Sequence, residues 1–219
     1  KKKVYETQQV VEQIKSCLKQ NLINLIQEQE LSGCLIEGKK DLLVQGLPVR
    51  TWSYYEYGIK YDKPELEEVE TYLSEELNKA VEGCLNLNST DFNLTLADGE
   101  VKVKFESGKA FIQVRRPLTL EKNEFKQVIK EIKFDMKTHF YDLFKDAELI
   151  FNLEKEKHFL ENLTLDTLIL NMPTNGVEVT CVPKKLNKEE LKQKFEDALT
   201  VNLEHLKIKG DYYKNTLSY

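Results

Sequence analysis

Four cysteines and three asparagine sequons are the residues of this chain with the clearest chemistry to offer. Cys17, Cys34, Cys84 and Cys181 are an even number, and no Cys-x-x-Cys pair occurs among them. Structural zinc sites and redox dithiols use close pairs, so the wide spacing points to structural disulfides. Asn88-Ser89-Thr90, Asn93-Leu94-Thr95 and Asn162-Leu163-Thr164 each fit the Asn-x-Ser/Thr pattern of a glycan acceptor. Both features belong to an oxidising, glycosylating compartment, and together they predict an extracytoplasmic protein. The plain alternative is a cytosolic protein whose four cysteines are reduced and buried.

Other reactive constellations do not form along the chain. His139, His158 and His205 are far apart, outside any His-x-x-x-His or His-Glu-x-x-His frame, and read as structural. The nine glycines are scattered and form no phosphate-cradling loop, and no Gly-x-Ser-x-Gly elbow occurs. Glu65, Glu67, Glu68, Glu70, Glu75 and Glu76 read as the solvated face of a helix. The sequence therefore assigns no catalytic residue, no cofactor and no metal ligand; a Cys–His pair that meets only in space stays open. Trp52, Tyr54, Tyr55 and Tyr57, followed by Tyr61, are the candidate partner-binding residues, because clustered aromatics stack on sugars or anchor protein partners. In a strand, Trp52 and Tyr54 lie opposite Tyr55 and Tyr57, so one set enters the core and the other stays outside. The plain alternative covers both sets.

The elements that would position these residues follow from periodicity. Over 219 residues, 41% hydrophobic and 32% charged, the chain is long and apolar enough to bury a core. A net charge of −5 and only three arginines, Arg50, Arg115 and Arg116, argue against a nucleic-acid partner. No run approaches the roughly 20 apolar residues of a membrane span. The chain opens Lys1-Lys2-Lys3 without a Met, which suggests that a preceding segment, such as a membrane anchor, has been removed.

Apolar residues at helical spacing predict a helix from about Glu6 to Glu28 that carries Cys17. Leu42–Val49 and Trp52–Tyr57 read as short strands, with Pro48 marking an edge. Asp62-Lys63-Pro64-Glu65 reads as a capping box that opens a helix ending at Gly83-Cys84. Phe92–Leu96, Val101–Phe105, Phe111–Val114 and Phe125–Met136 alternate as antiparallel strands, with hairpin turns at Asp98-Gly99 and Ser107-Gly108. A helix follows from Lys137 to Leu160. Leu163–Leu170 is ambiguous, Val177–Cys181 a strand, Asn187 a helix cap, and Leu206–Tyr213 a last strand. The predicted fold is α+β: an antiparallel β-meander covered by helices over 1–160, with a smaller C-terminal β-α-β portion over 161–219. Placement on two helices favours a Cys17–Cys84 bridge, and arithmetic leaves Cys34–Cys181.

Several short motifs resemble membrane-anchored surface proteins of DPANN-type (small-genome symbiotic) archaea. They are Glu12 to Cys17-Leu18, the Pro64-to-Cys84 helix with its Leu66-Glu67-Glu68-Val69-Glu70-Thr71-Tyr72-Leu73 text, Val114-Arg115-Arg116-Pro117-Leu118, Gly176 to Pro183, and Asn202-Leu203. Where those proteins often carry Gly-Gly-Tyr, this chain has Ser32-Gly33-Cys34, so the pairing of Cys34 is not implied by the likeness. The resemblance implies an extracytoplasmic, membrane-tethered protein and supplies no catalytic residues. The function expected is a cell-surface structural or interaction domain, of the adhesion or envelope kind, with a protein or glycan partner. The alternatives are an extracytoplasmic hydrolase acting on glycans or peptides, and a pilin-like filament subunit.

Overall fold

A computed structural model describes residues 2–44, 46–85, 92–170 and 187–205. The fold is α+β, with helices packed on small sheets whose strand pairs are all antiparallel. The chain divides into two compact units, residues 1–145 and 146–219.

In the first unit, α1 (Lys2–Leu31) buries Val10, Ile14, Leu18, Leu22 and Ile26, the stripe that helical spacing requires. Gly33 ends it in the left-handed region (φ 62°), where Cys34 N–H donates to Gln29 O at 2.8 Å, the six-to-one bond of a Schellman motif. Helix α2 (Leu66–Gly83) buries Val69, Leu73, Leu77 and Val81. Its N-cap is Glu65, without a side-chain bond; the expected capping box does not form, because the helix starts at Leu66, three residues too late for Asp62 to cap it, and Asp62 pairs with Arg50 and Lys39 instead. The two helices pack together, and Cys17 and Cys84 are joined by a disulfide with Cα atoms 5.7 Å apart.

Beneath the helices run three long strands, each interrupted once. They are β5 (Asn93–Leu96) with β6 (Glu100–Glu106), β7 (Lys109–Arg115) with β8 (Leu118–Lys122), and β9 (Phe125–Ile129) with β10 (Ile132–Lys137). The sheet order is β10-β7-β6 at one end and β5-β8-β9 at the other. Pairing passes from Leu96↔Leu118 to Glu100↔Arg115, so residues 97–99 face only 116–117. That is a bulge. The extra residue shifts inward-facing positions from Leu94 and Leu96 to Val101, Val103 and Phe105, while the middle strand keeps Ala110, Ile112, Val114, Leu118 and Leu120 in step. One face stays apolar across the bend.

The bulge corrects the reading of Asp98-Gly99 as a hairpin turn. A Cβ on Gly99 would lie 2.1 Å from the Arg115 carbonyl oxygen, so glycine is there for close backbone approach. Arg116 clamps the same place, donating to Ala97 O (3.1 Å), Asn78 O (3.3 Å) and Glu82 Oε1 (3.2 Å). Gly99→Ala is expected to destabilise by about 3 kcal/mol, the upper end of overpacking costs, since backbone cannot swing aside as a side chain can. Urea unfolding checks this; an unchanged midpoint would mean that the bulge relaxes freely.

Strand β6 forms a sheet edge whose outward N–H groups are taken up by α2. Val103 N–H donates to Ser74 Oγ (2.9 Å) and Phe105 N–H to Glu70 Oε1 (2.8 Å). Glu70 is therefore buried, not part of a solvated acidic face. Helix α3 (Phe140–Lys157) begins in this unit, with Phe140 and Phe144 buried.

In the second unit α3 ends at His158 (φ 53°), inside the stretch read as one continuous helix, and α4 (Phe159–Leu170) resolves the ambiguous segment as helix. Asn187 Oδ1 caps α5 (Lys188–His205) by accepting from Glu189 and Glu190 N–H, and α4 packs on α5. The strands expected at Val177–Cys181 and Leu206–Tyr213 lie outside the described residues.

Candidate interaction surface

Residues 41–61 fold as two hairpins where the sequence suggested two single strands. β1 (Asp41–Val44) returns at Gly46 into β2 (Leu47–Arg50), and β3 (Ser53–Tyr55) returns through residues 56–58 into β4 (Ile59–Tyr61). Arg50 holds their common base. Its side chain is fully buried; Nη1 donates to Cys34 O and Glu68 Oε2, both at 3.3 Å, and Nη2 to Asp62 Oδ1 at 3.3 Å. Lys39 Nζ lies 3.4 Å from Asp62 and 3.5 Å from Glu68, so two cations face two half-buried carboxylates. A buried arginine survives only with such partners.

Around this base the aromatic residues divide by strand parity. Trp52 is half-buried, donates Nε1–H to Gly33 O at 2.9 Å, and lies 6.1 Å from the Phe144 ring. Tyr54 is half-buried with Lys40 Nζ 4.4 Å over its ring. Tyr55, on the opposite face of β3, and Tyr57, in the turn, are 81% and 102% exposed. Tyr55 pairs with Ile59 and Ser53 with Tyr61, so Tyr55, Ile59 and Tyr61 share one face of the ribbon. Tyr57 tops the turn in the left-handed region (φ 52°). A second exposed group, Leu42, Leu43, Val44 and Leu47 on β1–β2, was not singled out in the sequence. Its signal is the run Leu42-Leu43-Val44 followed by Gly46-Leu47-Pro48, where a turn leaves the apolar residues too little chain to reach a core.

The other candidate residues do not gather at this surface. Cys34 is buried and has no disulfide partner among the described residues; burial pushes its thiol up to about 12, against the pull of Arg50, which makes it a poor nucleophile. Its expected partner Cys181 lies outside the described residues, as does Asn88. Asn93 opens β5 and is exposed, as is Thr95. Asn162 is exposed on α4, but the Thr164 hydroxyl of its sequon donates to Leu160 O at 2.7 Å. His139 and His158 stand beside Asp142 (4.0 Å) and Glu161 (2.6 Å). Among the described residues no three His, Cys, Asp or Glu side chains gather as a metal site. No helix among them is long and apolar enough to cross a membrane.

A groove of about 370 Å³ between α2 and β6 carries Glu70, Glu75 and Glu100. Glu70 is committed to Phe105 N–H and Lys104. Hydrogen bonding to Lys102, then Arg115, holds Glu100 below the usual carboxylate range, which suits an ion pair and not a proton donor. Comparison of the chain with models of protein families, with curated proteins and with solved structures finds no match.

Proposed function

We propose that the protein is an extracytoplasmic, cell-surface interaction domain of the adhesion or envelope kind, meeting a protein or glycan partner through the β3–β4 hairpin. The observation that carries this is the outward strip Tyr55, Tyr57, Ile59 and Tyr61 on a ribbon whose inner side is tied down through Trp52 and Arg50. Tyrosines on a fixed ribbon offer large contact area with little rotamer freedom to lose on binding. The Cys17–Cys84 bridge supports the compartment, because such links persist where the surroundings are oxidising. The resemblance to anchored surface proteins points the same way.

The test is the double substitution Tyr55→Ala/Tyr57→Ala, assayed on a glycan array and on intact cells, with thermal unfolding in parallel. Binding is expected to fall about tenfold or more, as for truncated aromatic hot spots. Stability should stay within about 0.5 kcal/mol, as for exposed sites. Unchanged binding, or a large loss of stability, would remove the hairpin from the partner site.

A further inference from the structure

We infer that the β1–β2 hairpin is a lipid-contacting finger that inserts shallowly into a neutral bilayer surface. Leu42, Leu43, Val44 and Leu47 are all exposed, Leu43 at 70%. They do not lie on one side. The register Val44↔Leu47, Leu43↔Pro48 and Leu42↔Val49 puts Leu42, Val44 and Leu47 on one face and Leu43 with Pro48 on the other. A protein groove or a second copy docked on a ribbon face covers only one of these. An apolar medium that surrounds the ribbon covers both.

The ribbon edges favour the same occupant over an added strand. Arg50 N–H points away from β1 and donates to Ser32 O at 2.8 Å, which makes Asp41↔Arg50 a non-hydrogen-bonded pair. Pairs alternate along an antiparallel ladder, so position 48 also aims its nitrogen outward, and there the residue is proline. The outer edge of β2 therefore presents no free N–H to an incoming strand. On the opposite edge Leu43 N–H still points outward and needs water, which limits insertion to the hydrated boundary. A four-residue strand reaches about 13 Å, enough for the headgroup and upper acyl region but not for a crossing.

Two further features fit. Beside the ribbon lies a cleft of about 430 Å³ in which Leu31, Leu35, Leu47 and Pro48 face Asn24, Gln27, Glu28 and Ser32, a mixed lining suited to the hydrated boundary and not to the bilayer interior. The base is held by Arg50 and by Thr51 N–H to Lys40 O (3.0 Å), so the finger is presented by a fixed support. Charge selects the headgroup: the chain carries a net −5, Asp41 opens the ribbon, and Lys39 is already paired with Asp62 and Glu68, so neutral lipid is preferred to anionic.

Flotation of the whole chain with phosphatidylcholine vesicles tests this, using Leu42→Glu and Leu43→Glu singly. The wild type should float, and each variant, one per face, should bind about tenfold more weakly with an unchanged melting temperature. Adding phosphatidylglycerol should not strengthen binding. Overturning results are a wild type that stays in solution, binding that needs phosphatidylglycerol, or a loss confined to one face. A concentration-dependent dimer in sedimentation that only one of the variants abolishes would assign the ribbon to a second copy instead.

Discussion

Removing the Cys17–Cys84 bridge, by reduction or as Cys17→Ala/Cys84→Ala, is expected to lower stability by about 4 kcal/mol, because the link closes a loop with a sequence separation of 67. Chain entropy supplies most of that figure, since the open chain regains a large loop in its unfolded state. Packing adds to it: Cys84 is buried where α2 ends, and Asn21 Nδ2 donates to Cys17 O at 3.0 Å beside the bridge. Alanine is the right replacement, because a serine hydroxyl at Cys84 would be buried. Urea unfolding with and without reductant gives the difference, and thiol titration of the unfolded, unreduced chain gives the count. Superimposable curves, together with four titratable thiols, would show that the bridge does not form and would return the protein to a reducing compartment.

Arg50→Ala should be the next most damaging change, at about 3 kcal/mol. Removing one partner of a buried ion pair costs about 3–5 kcal/mol, and the lower end applies because Asp62 and Glu68 keep 28% and 31% of their side-chain surface in water. The substitution also frees the Cys34 carbonyl and leaves two carboxylates facing Lys39 alone. Arg50 Nε is buried without a partner, so part of the desolvation of the guanidinium is never recovered. Arg50→Met, which keeps the volume and removes the charge, should therefore cost less than Arg50→Ala. Amide exchange over β1–β4 should accelerate in both variants, since the cluster is the base from which the hairpins rise. A loss below about 0.5 kcal/mol for the alanine variant would mean that the cluster behaves as a surface pair.

Local periodicity was enough to read α1, α2 and the meander, because each buries one repeating stripe: Val10 to Ile26, Val69 to Val81, and the alternate residues of β6 and β7. Tertiary pairing decided the rest. Asp98-Gly99 has the chemistry of a tight turn, yet it sits in a bulge, because β5 finds β8 as its partner and not β6. β8 itself was not read from the sequence; Pro117 just before it marks the bend that separates it from β7. The two small hairpins hide as well: Leu42–Val49 reads as one strand that the turn at Gly46 folds in half, and Trp52–Tyr57 covers only β3 and part of the turn, leaving β4 unread.

Side chains whose role depends on a distant neighbour were the least legible. Asp62 reads as a helix cap, but the helix starts only at Leu66, and the Asp62 carboxylate pairs with Arg50, which lies within reach only once β2 is in place. Glu70 reads as one carboxylate in an acidic run until the β6 edge arrives with an N–H in need of an acceptor. The parity of Trp52 and Tyr54 against Tyr55 and Tyr57 comes from the chain alone, because strand geometry sets it residue by residue. Which pair faces inward does not: the Gly33 carbonyl and the Phe144 ring, both distant in sequence, take Trp52 and leave Tyr55 and Tyr57 to the solvent. Sequence determines what repeats along one element, since that period is built into the backbone. Pairings between elements belong to the tertiary structure, because the burial and charge that decide them exist only after the elements meet.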